Sequence, residues 1–557
     1  MQQVGARRPR RRTVVVIVIA AVLVLGLGAA GGSYLLLRTH GSPSQTAASY
    51  LSAWQRGAYG AMDQVSVNVP SGGLARPLKQ ASAQLGLRSL RLSPGQVTTS
   101  GGGTQVRFTA TAELASGHVW TYQGRLPMVV RDRRWRVSWS PAAIYPKLGP
   151  GERFVLSAAW PARAAILAAD GTVLSSPAAI AASGSLALLT GELVKATAAQ
   201  AKALGAPYQA GDLIGLGGIE QAYQKQLAGK PSLTIAVEGP GDRADGTAVR
   251  FAAGPGTPVH TSIDMRDQQA ASQAVSSAST SKPVDMVAIQ PSTGRVLAVV
   301  ERPGGFDRAL EGIFPPGSTF KVVTGSALAA KGMTPASTVQ CPSTAAIGGR
   351  TFHNDNNEQL GSTSLLNAFA ISCNTTFALL ATQRLDAASL GAMAATFGFN
   401  AEPALGIPAT LGHFTAPKSL VDFAADAFGQ GADLVNPLSQ ASEAAAIEDG
   451  TWRSPQLVIS PAPRQPDPAH PLSAAILDAL RPMMRAVVTS GTAAGVGFPP
   501  GVYGKTGTAE YGSGPHPPSH GWFIGYQGDV AFAVLVEGGG FGADSAGPIA
   551  KAFLRKL

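Results

Sequence analysis

The chain has 557 residues, 45% of them hydrophobic and 14% charged, which excludes a disordered or strongly acidic protein and leaves room for about three or four domains. The net charge is +11, of which Arg7, Arg8, Arg10, Arg11 and Arg12 supply five. The remaining +6 reads as thinly spread, and no basic run carries interleaved aromatics, so no nucleic-acid partner is expected.

Residues 1–12 read as a cytoplasmic tail and residues 13–37 as a transmembrane anchor. No residue from Thr13 to Leu37 is charged, a run of 25 positions, long enough to span a bilayer with some tilt. The arginines before it belong on the cytoplasmic side, which places everything after Arg38 outside the cytoplasm. A cleaved signal peptide is the alternative, with a long apolar region and Gly28-Ala29-Ala30 as the cleavage site. The two cysteines, Cys341 and Cys373, could pair in an oxidising compartment or stay as buried free thiols. No Cys/His set has zinc spacing, and neither a metal nor a cofactor is expected.

Gly41 to Gln45 is a polar linker. From Ala47, the apolar residues Tyr50, Leu51 and Trp54 recur at helical spacing. Period-2 alternation follows at Val106, Phe108, Ala110 and Ala112, and again at Trp135, Val137 and Trp139. This predicts an α+β cone over 42–148. Its opening Ala-Ala-Ser-Tyr-Leu-Ser-Ala-Trp and its close from Trp135 to Pro141 resemble the NTF2-like domain of one branch of class B penicillin-binding proteins. It is read as a spacer. Residues 149–256 are rich in Ala and Gly, with a strand from Arg163 entering the Asp170-Gly171 turn. The stretch from Gly217 to Gly229 resembles the pedestal module of the same proteins, although the strand before Asp170 is less polar than theirs. The scattered glutamates between Arg38 and Arg250 hold no closely set acidic pair, so no glycosyltransferase is expected.

Residues 257–557 form the last expected domain. His260 to Asp264 leads into a Gln- and Ala-rich helix, Val284 to Ile289 and Val296 to Val300 are strands, and Phe314 to Lys321 turns into a helix that stops at Lys331-Gly332. A helical region from Leu365 leads to the Ser372 loop, and a helix follows from Thr375. Lys505 to Thr508 is a strand, Trp522 to Tyr526 and Val530 to Glu537 form a hairpin, and Pro548 opens a terminal helix. Strands at both ends with helices between predict an α/β sandwich on one antiparallel sheet. Gly538 to Gly542 lacks a phosphate-loop Lys-Ser/Thr and reads as a connector. His516 and His520 read as a solvated loop, Glu448-Asp449-Gly450 as a helix end, and Glu443 as structural.

The chemistry concentrates in three stretches. Ser318 and Lys321 share one face of a helix start, and a serine needs a base to become a nucleophile. A lysine is that base when burial and cationic neighbours keep it neutral. Ser372-Cys373-Asn374 lies 54 residues after Ser318, and Lys505-Thr506-Gly507 a further 133 on. With Gly429-Gln430-Gly431 and the extensions to Phe377 and Glu510, these elements resemble the penicillin-binding proteins and serine β-lactamases. The resemblance implies catalytic roles for Ser318, Lys321, Ser372, Asn374 and Lys505. It implies carboxylate binding by Thr506 and Thr508, close substrate approach at Gly507, and an oxyanion hole from the backbone N–H of Ser318 and Thr508. It implies a D-Ala-D-Ala stem peptide as donor, a neighbouring stem-peptide amine as acceptor, acylation by β-lactams, and a polytopic glycan polymerase as partner. D,D-carboxypeptidase or β-lactamase activity is the runner-up within the chemistry. A non-catalytic β-lactam sensor is the runner-up outside it, although the 12 residues before Thr13 are too few for a signalling domain.

Overall fold

The computed structural model describes residues 39–355, 358–513 and 517–557. The expected anchor at 13–37, the arginine cluster before it and His516 lie outside the described residues. Among the described residues no helix is long and apolar enough to cross a membrane. The chain divides into two compact units, one whose described residues are 39–161, 197–210 and 231–254, the other of 162–196, 211–230 and 255–557. The segment 149–256, read above as one module, is thus shared between two bodies.

In the first unit, helix α1 (Pro43–Gln55) starts where Ser42 Oγ accepts from the Gln45 N–H and Pro43 takes the first turn. Its Ala47, Tyr50, Leu51 and Trp54 are buried. Strand β1 (Ser66–Val67) and helix α2 (Ala75–Leu85) follow, the helix closed by left-handed Gly86. Strands β2 (Leu87–Ser100), β3 (Gly103–Leu114), β4 (Val119–Arg131) and β5 (Arg134–Ser138) complete a sheet in the order β1-β5-β4-β3-β2. It is antiparallel except for the β1–β5 pair. Val106, Phe108, Ala110 and Ala112 all point inward, as the alternation predicts. Trp135 and Trp139 are only half-buried beside buried Val137. A second sheet, β6 (Arg153–Ala159), β7 (Ser232–Gly239) and β8 (Arg243–Phe251), adds Phe154, Leu233, Ile235 and Val237 to the same core. Strands β7 and β8 return to this unit from far along the chain, which local periodicity does not reveal.

In the second unit, the residues after Arg163 make a short strand, Ile166–Leu167, beside the Asp170-Gly171 turn. It runs parallel to Val259–Thr261. Arg163 Nε bonds Glu220 Oε2 at 2.5 Å, and its Nη2 bonds the Gln224 side chain at 2.9 Å. Helix α3 (Met265–Ser276) is capped by Asp264. The main sheet is built from β9 (Val284–Gln290) and β10 (Arg295–Arg302) at one end of the domain's sequence. The other end supplies β11 (Tyr503–Glu510), β12 (Ser519–Gln527) and β13 (Val530–Val536). Its order is β10-β9-β13-β12-β11, antiparallel throughout. The central strands are buried along all but one end residue each, which requires cover on both faces. Helix α3 and the terminal helix α9 (Gly542–Leu554) pack together on one side, and α7 (Pro437–Asp449) packs on the other. The terminal helix does not begin at Pro548. It starts at Gly542 and carries Pro548 inside, because a Cβ at 542 would lie 2.1 Å from Trp522 O and the glycine lets the helix start close against the sheet.

The helical layer centres on α4 (Lys321–Ala330), buried on every side from Lys321 to Ala329. Around it lie α6 (Asn374–Arg384) and α8 (Ala474–Thr489), with α5 (Leu365–Ala370) against α8. The edge strand β11 lies against the turn that starts α4, so the nucleophile motif and the Lys505 motif meet where sheet and helices join.

Candidate active site

Ser318 lies in a 3₁₀ turn, Gly317–Phe320, that feeds directly into α4. Gly317 has φ +55°, and a Cβ there would stand 2.4 Å from Thr508 O. The turn is also held from behind, since the Gly317 N–H donates to Gly429 O at 3.0 Å. A Cβ on Gly429 would reach Gly317 O at 1.9 Å, so this contact also needs glycine. Gln430 Nε2 then donates to Thr508 O at 3.1 Å. The Gly429-Gln430 pair therefore braces both backbone segments of the expected oxyanion hole.

Lys321 Nζ is fully buried among four oxygens: Ser318 Oγ at 2.8 Å, Ser372 O at 2.7 Å, Ser372 Oγ at 3.1 Å and Asn374 Oδ1 at 2.5 Å. Two of these, Ser372 O and Asn374 Oδ1, only accept. They take both N–H bonds of a neutral amine and aim its lone pair at a serine O–H. Burial, and then the charge of Lys505, hold the Lys321 pKa well below its ordinary range, with Asp355 opposing. Lys505 is also buried, and burial lowers it to about 7. Of the two lysines, Lys321 is the one that burial and a neighbouring charge favour in the neutral form.

Ser372 sits between them. Its Oγ receives Lys505 Nζ at 2.9 Å and lies 3.1 Å from Lys321 Nζ. It is held at φ +65°, a conformation a non-glycine residue rarely adopts. Its carbonyl can therefore face Lys321 as well as its hydroxyl. Asn374 starts α6 and directs its amide Nδ2 at His353 O, 3.4 Å, and Asp355 Oδ1, 3.5 Å. The cysteine between them is bridged: Cys341 and Cys373 form a disulfide that ties the second motif to the strand Thr338–Cys341.

A cleft of about 320 Å³ opens over this group, lined by Ser318, Ser372, Thr506 and Thr508 among others. The structure thus brings Ser318, Lys321, Ser372, Asn374, Lys505, Thr506 and Thr508 together. Gly507 also has a packing role. A Cβ there would meet Thr319 Cγ2 at 2.9 Å, Trp522 Cβ at 2.9 Å and Pro316 O at 3.0 Å, so the space its hydrogen leaves is filled by the protein itself.

Several cleft residues escaped the sequence reading. Thr492 Oγ1 lies 2.7 Å from Thr506 Oγ1 and orients it. Asp355 and Glu358 bring two carboxylates to the wall, and the connector around Gly542 contributes Phe541 and Asp544. None belongs to a motif, although Asp355 lies in the polar run Asn354 to Asn357, a signal of a loop. His520 is not a solvated residue. It is buried, stacks on Tyr511 at 4.1 Å and accepts from the Gly538 N–H, and burial lowers its pKa to about 4. Glu443 is fully buried in α7, where Oε2 accepts from Gln440, and burial keeps its pKa well above the carboxylate range.

Two family models match the chain. Residues 264–555 match the model of the penicillin-binding protein transpeptidase domain, and residues 42–152 match that of the NTF2-like N-terminal transpeptidase domain. A peptidoglycan D,D-transpeptidase, PbpA, of Mycobacterium tuberculosis is 33% identical over 330 residues, covering 48% of this chain and 66% of that protein. The chain thus spans just under two thirds of the length of the curated relatives it matches. Penicillin-binding protein A of M. tuberculosis, solved as a ceftriaxone acyl-enzyme, is 28% identical with a TM-score of 0.50, covering 54% of this chain and 80% of that one. A chain from a peptidoglycan synthase complex described as coordinating polymerization and crosslinking is 22% identical with a TM-score of 0.61, covering 73% and 92%, and it shares the fold. The transpeptidase model alone covers more than half of the sequence, and this chain belongs to the penicillin-binding protein transpeptidase family, in the branch with an NTF2-like N-terminal domain.

Proposed function

We propose that this protein is a membrane-anchored peptidoglycan D,D-transpeptidase, with residues 13–37 in the membrane and the catalytic unit outside the cytoplasm. The observation that carries the reading is the chain Ser318–Lys321–Ser372–Lys505, with contacts of 2.8, 3.1 and 2.9 Å. Lys321 takes the proton of Ser318 Oγ as that oxygen attacks the carbonyl between the two D-alanines of a donor stem peptide. The backbone N–H groups of Ser318 and Thr508 receive the oxyanion. Ser372 passes the proton to the leaving D-alanine nitrogen, and Lys505 with Thr506 and Thr508 holds the substrate's terminal carboxylate. Asn374 holds Lys321 in place and binds the substrate amide. An amine from a neighbouring stem peptide then attacks the acyl-enzyme along the same proton path in reverse. A β-lactam enters by the first half of this route. A polytopic glycan polymerase is the partner this reading implies.

Fluorescent penicillin, followed by peptide mapping, tests the nucleophile. The label is expected on Ser318 and absent from Ser318→Ala, and a label on another serine refutes the assignment. Turnover of a stem-peptide donor with a separate amine acceptor tests the reaction. One observation favours a second reading, hydrolysis: Asp355 and Glu358 place carboxylates on the cleft wall. Release of D-alanine at a rate independent of the acceptor would move the assignment to a D,D-carboxypeptidase.

A further inference from the structure

The first unit carries charge that neither its core nor the catalytic chemistry uses. Residues 42–161 hold 13 Lys and Arg against 4 Asp and Glu, a net of +9, while residues 162–557 hold 25 against 29, a net of −4. The charge beyond the N-terminal arginine cluster is therefore concentrated rather than thinly spread.

Its densest point is the β4–β5 hairpin. Arg131 pairs with Arg134 across a two-residue turn, Asp132-Arg133, whose φ angles are +50° and +57°. Positive φ at both central positions is the mark of a type I′ turn, where glycine suits the second position. An arginine at that position is costly for the turn itself. All four residues from Arg131 to Arg134 are exposed. Neither Arg131 nor Arg134 has an ion-pair partner among the described residues. Val129 and Val130 beside them are 38% and 48% exposed, and Trp135 is half-buried. Arginine beside exposed valine and tryptophan is the make-up of an element at a lipid–water interface.

The entry of the chain fixes where this turn sits. The His40 N–H donates to Arg133 O at 2.7 Å, and His40 bridges Arg134. The uncharged run ends at Leu37, so about 10 Å of extended chain at most separates it from the arginine turn.

We propose that the β4–β5 hairpin docks on the membrane surface, with Arg131, Arg133 and Arg134 binding the headgroups of anionic phospholipids and Val129, Val130 and Trp135 entering the interface. This rests on the reading of residues 13–37 as a membrane anchor. A basic residue near an anionic leaflet strengthens attachment by roughly fivefold, so the turn would fix the tilt of the NTF2-like unit on its short tether.

The test uses the full chain in nanodiscs of phosphatidylcholine, with or without phosphatidylglycerol, read by hydrogen exchange over residues 127–139. Exchange there is expected to slow by about tenfold or more in the anionic discs alone. The triple variant Arg131→Gln, Arg133→Gly, Arg134→Gln should lose that protection. Arg133→Gly alone should raise the melting temperature yet lower protection by about fivefold, an outcome that unfolding cannot mimic. Equal exchange in both lipids overturns the proposal. Protection that appears only when soluble polyphosphate is added overturns the lipid assignment in favour of an anionic wall polymer. A chain that fails to enter the discs overturns the anchor reading and this proposal with it, whereas entry with an unprotected hairpin overturns the hairpin alone.

Discussion

Gly507→Ala separates packing from substrate binding. The new Cβ meets Thr319 Cγ2 and Trp522 Cβ at 2.9 Å and Pro316 O at 3.0 Å. None of these can yield cheaply. Trp522 is fully buried in β12, Pro316 O already accepts from Thr319 Oγ1 at 2.8 Å, and that bond keeps the Thr319 methyl where it is. Overpacking of this kind costs about 1–3 kcal/mol, which in a unit of this size lowers the melting temperature by roughly 1–2 °C per kcal/mol. Strain is relieved by moving β11 away from the Ser318 turn, which pulls the Thr508 backbone from the nucleophile. A shift of about 1 Å at a reacting centre slows it by roughly 100-fold. The expected result is therefore lower thermal stability together with slower acylation by every β-lactam, read by stopped-flow labelling and a thermal melt on one preparation. Unchanged melting and unchanged β-lactam acylation, with a raised KM for stem peptide alone, would show that glycine serves substrate approach and would refute the packing argument.

Lys321→Arg should acylate almost as slowly as Lys321→Ala, a loss of about 100-fold or more, because arginine cannot give up its proton; substantial rescue by arginine would show that only charge is needed. The acylation rate should rise with pH as Lys321 loses its proton and fall again as Lys505, near 7 in the free enzyme, loses its own. A bound carboxylate should move the falling limb to higher pH, and a profile without that limb would contradict the role of Lys505. Asp433 is pushed up to about 8 by burial and Asp426, so its protonated form belongs to the fold and stability should decline as pH rises towards and through 8. Asp433→Asn should flatten that decline in denaturation measured against pH. Replacing Cys341 and Cys373 with serine opens a loop of 32 residues and should cost about 3–4 kcal/mol by chemical denaturation. Intact mass after a pulse of penicillin G should show a persistent adduct, and rapid return to free enzyme would mark a β-lactamase.

The site was legible where chemistry is tied to short spacing. Ser318 to Lys321 is one helical turn, and the Ser372 and Lys505 stretches carry enough flanking identity to be placed without the fold. What stayed hidden depends on approach through space. Thr492 reaches Thr506 from a loop after α8, and Asp355 reaches Asn374 from a polar loop, at separations no periodicity records. The packing role of Gly507 was hidden for the same reason: the sequence shows an absent side chain but not which neighbour fills the space. The NTF2-like domain, expected over 42–148 and matched over 42–152, was legible at α1 and β3, where burial follows a local period, while the joining of β7 and β8 from beyond residue 230 was not. The disulfide was open in the sequence because the two cysteines are 32 residues apart and nothing local brings them together.

The ring of oxygens around the Lys321 amine has a kinetic consequence. With Ser318 Oγ, Ser372 O, Ser372 Oγ and Asn374 Oδ1 all within 3.1 Å of Nζ, the nitrogen is saturated, and no lobe is left over for a stray solvent molecule. Once Ser318 is esterified, its Oγ stays beside Nζ but carries no proton to give, and the amine lone pair is open to one new hydrogen-bond donor. A nucleophile must fit this one opening, next to the ester carbonyl, before the base can act on it. In the proposed reaction an amine delivered on a long peptide would be held there by contacts along the cleft, while a lone water would have none beyond that one bond. The lifetime of the covalent intermediate would then be governed by how well the arriving group is gripped at a distance rather than by its intrinsic reactivity, and a concentrated solvent would lose to a dilute acceptor.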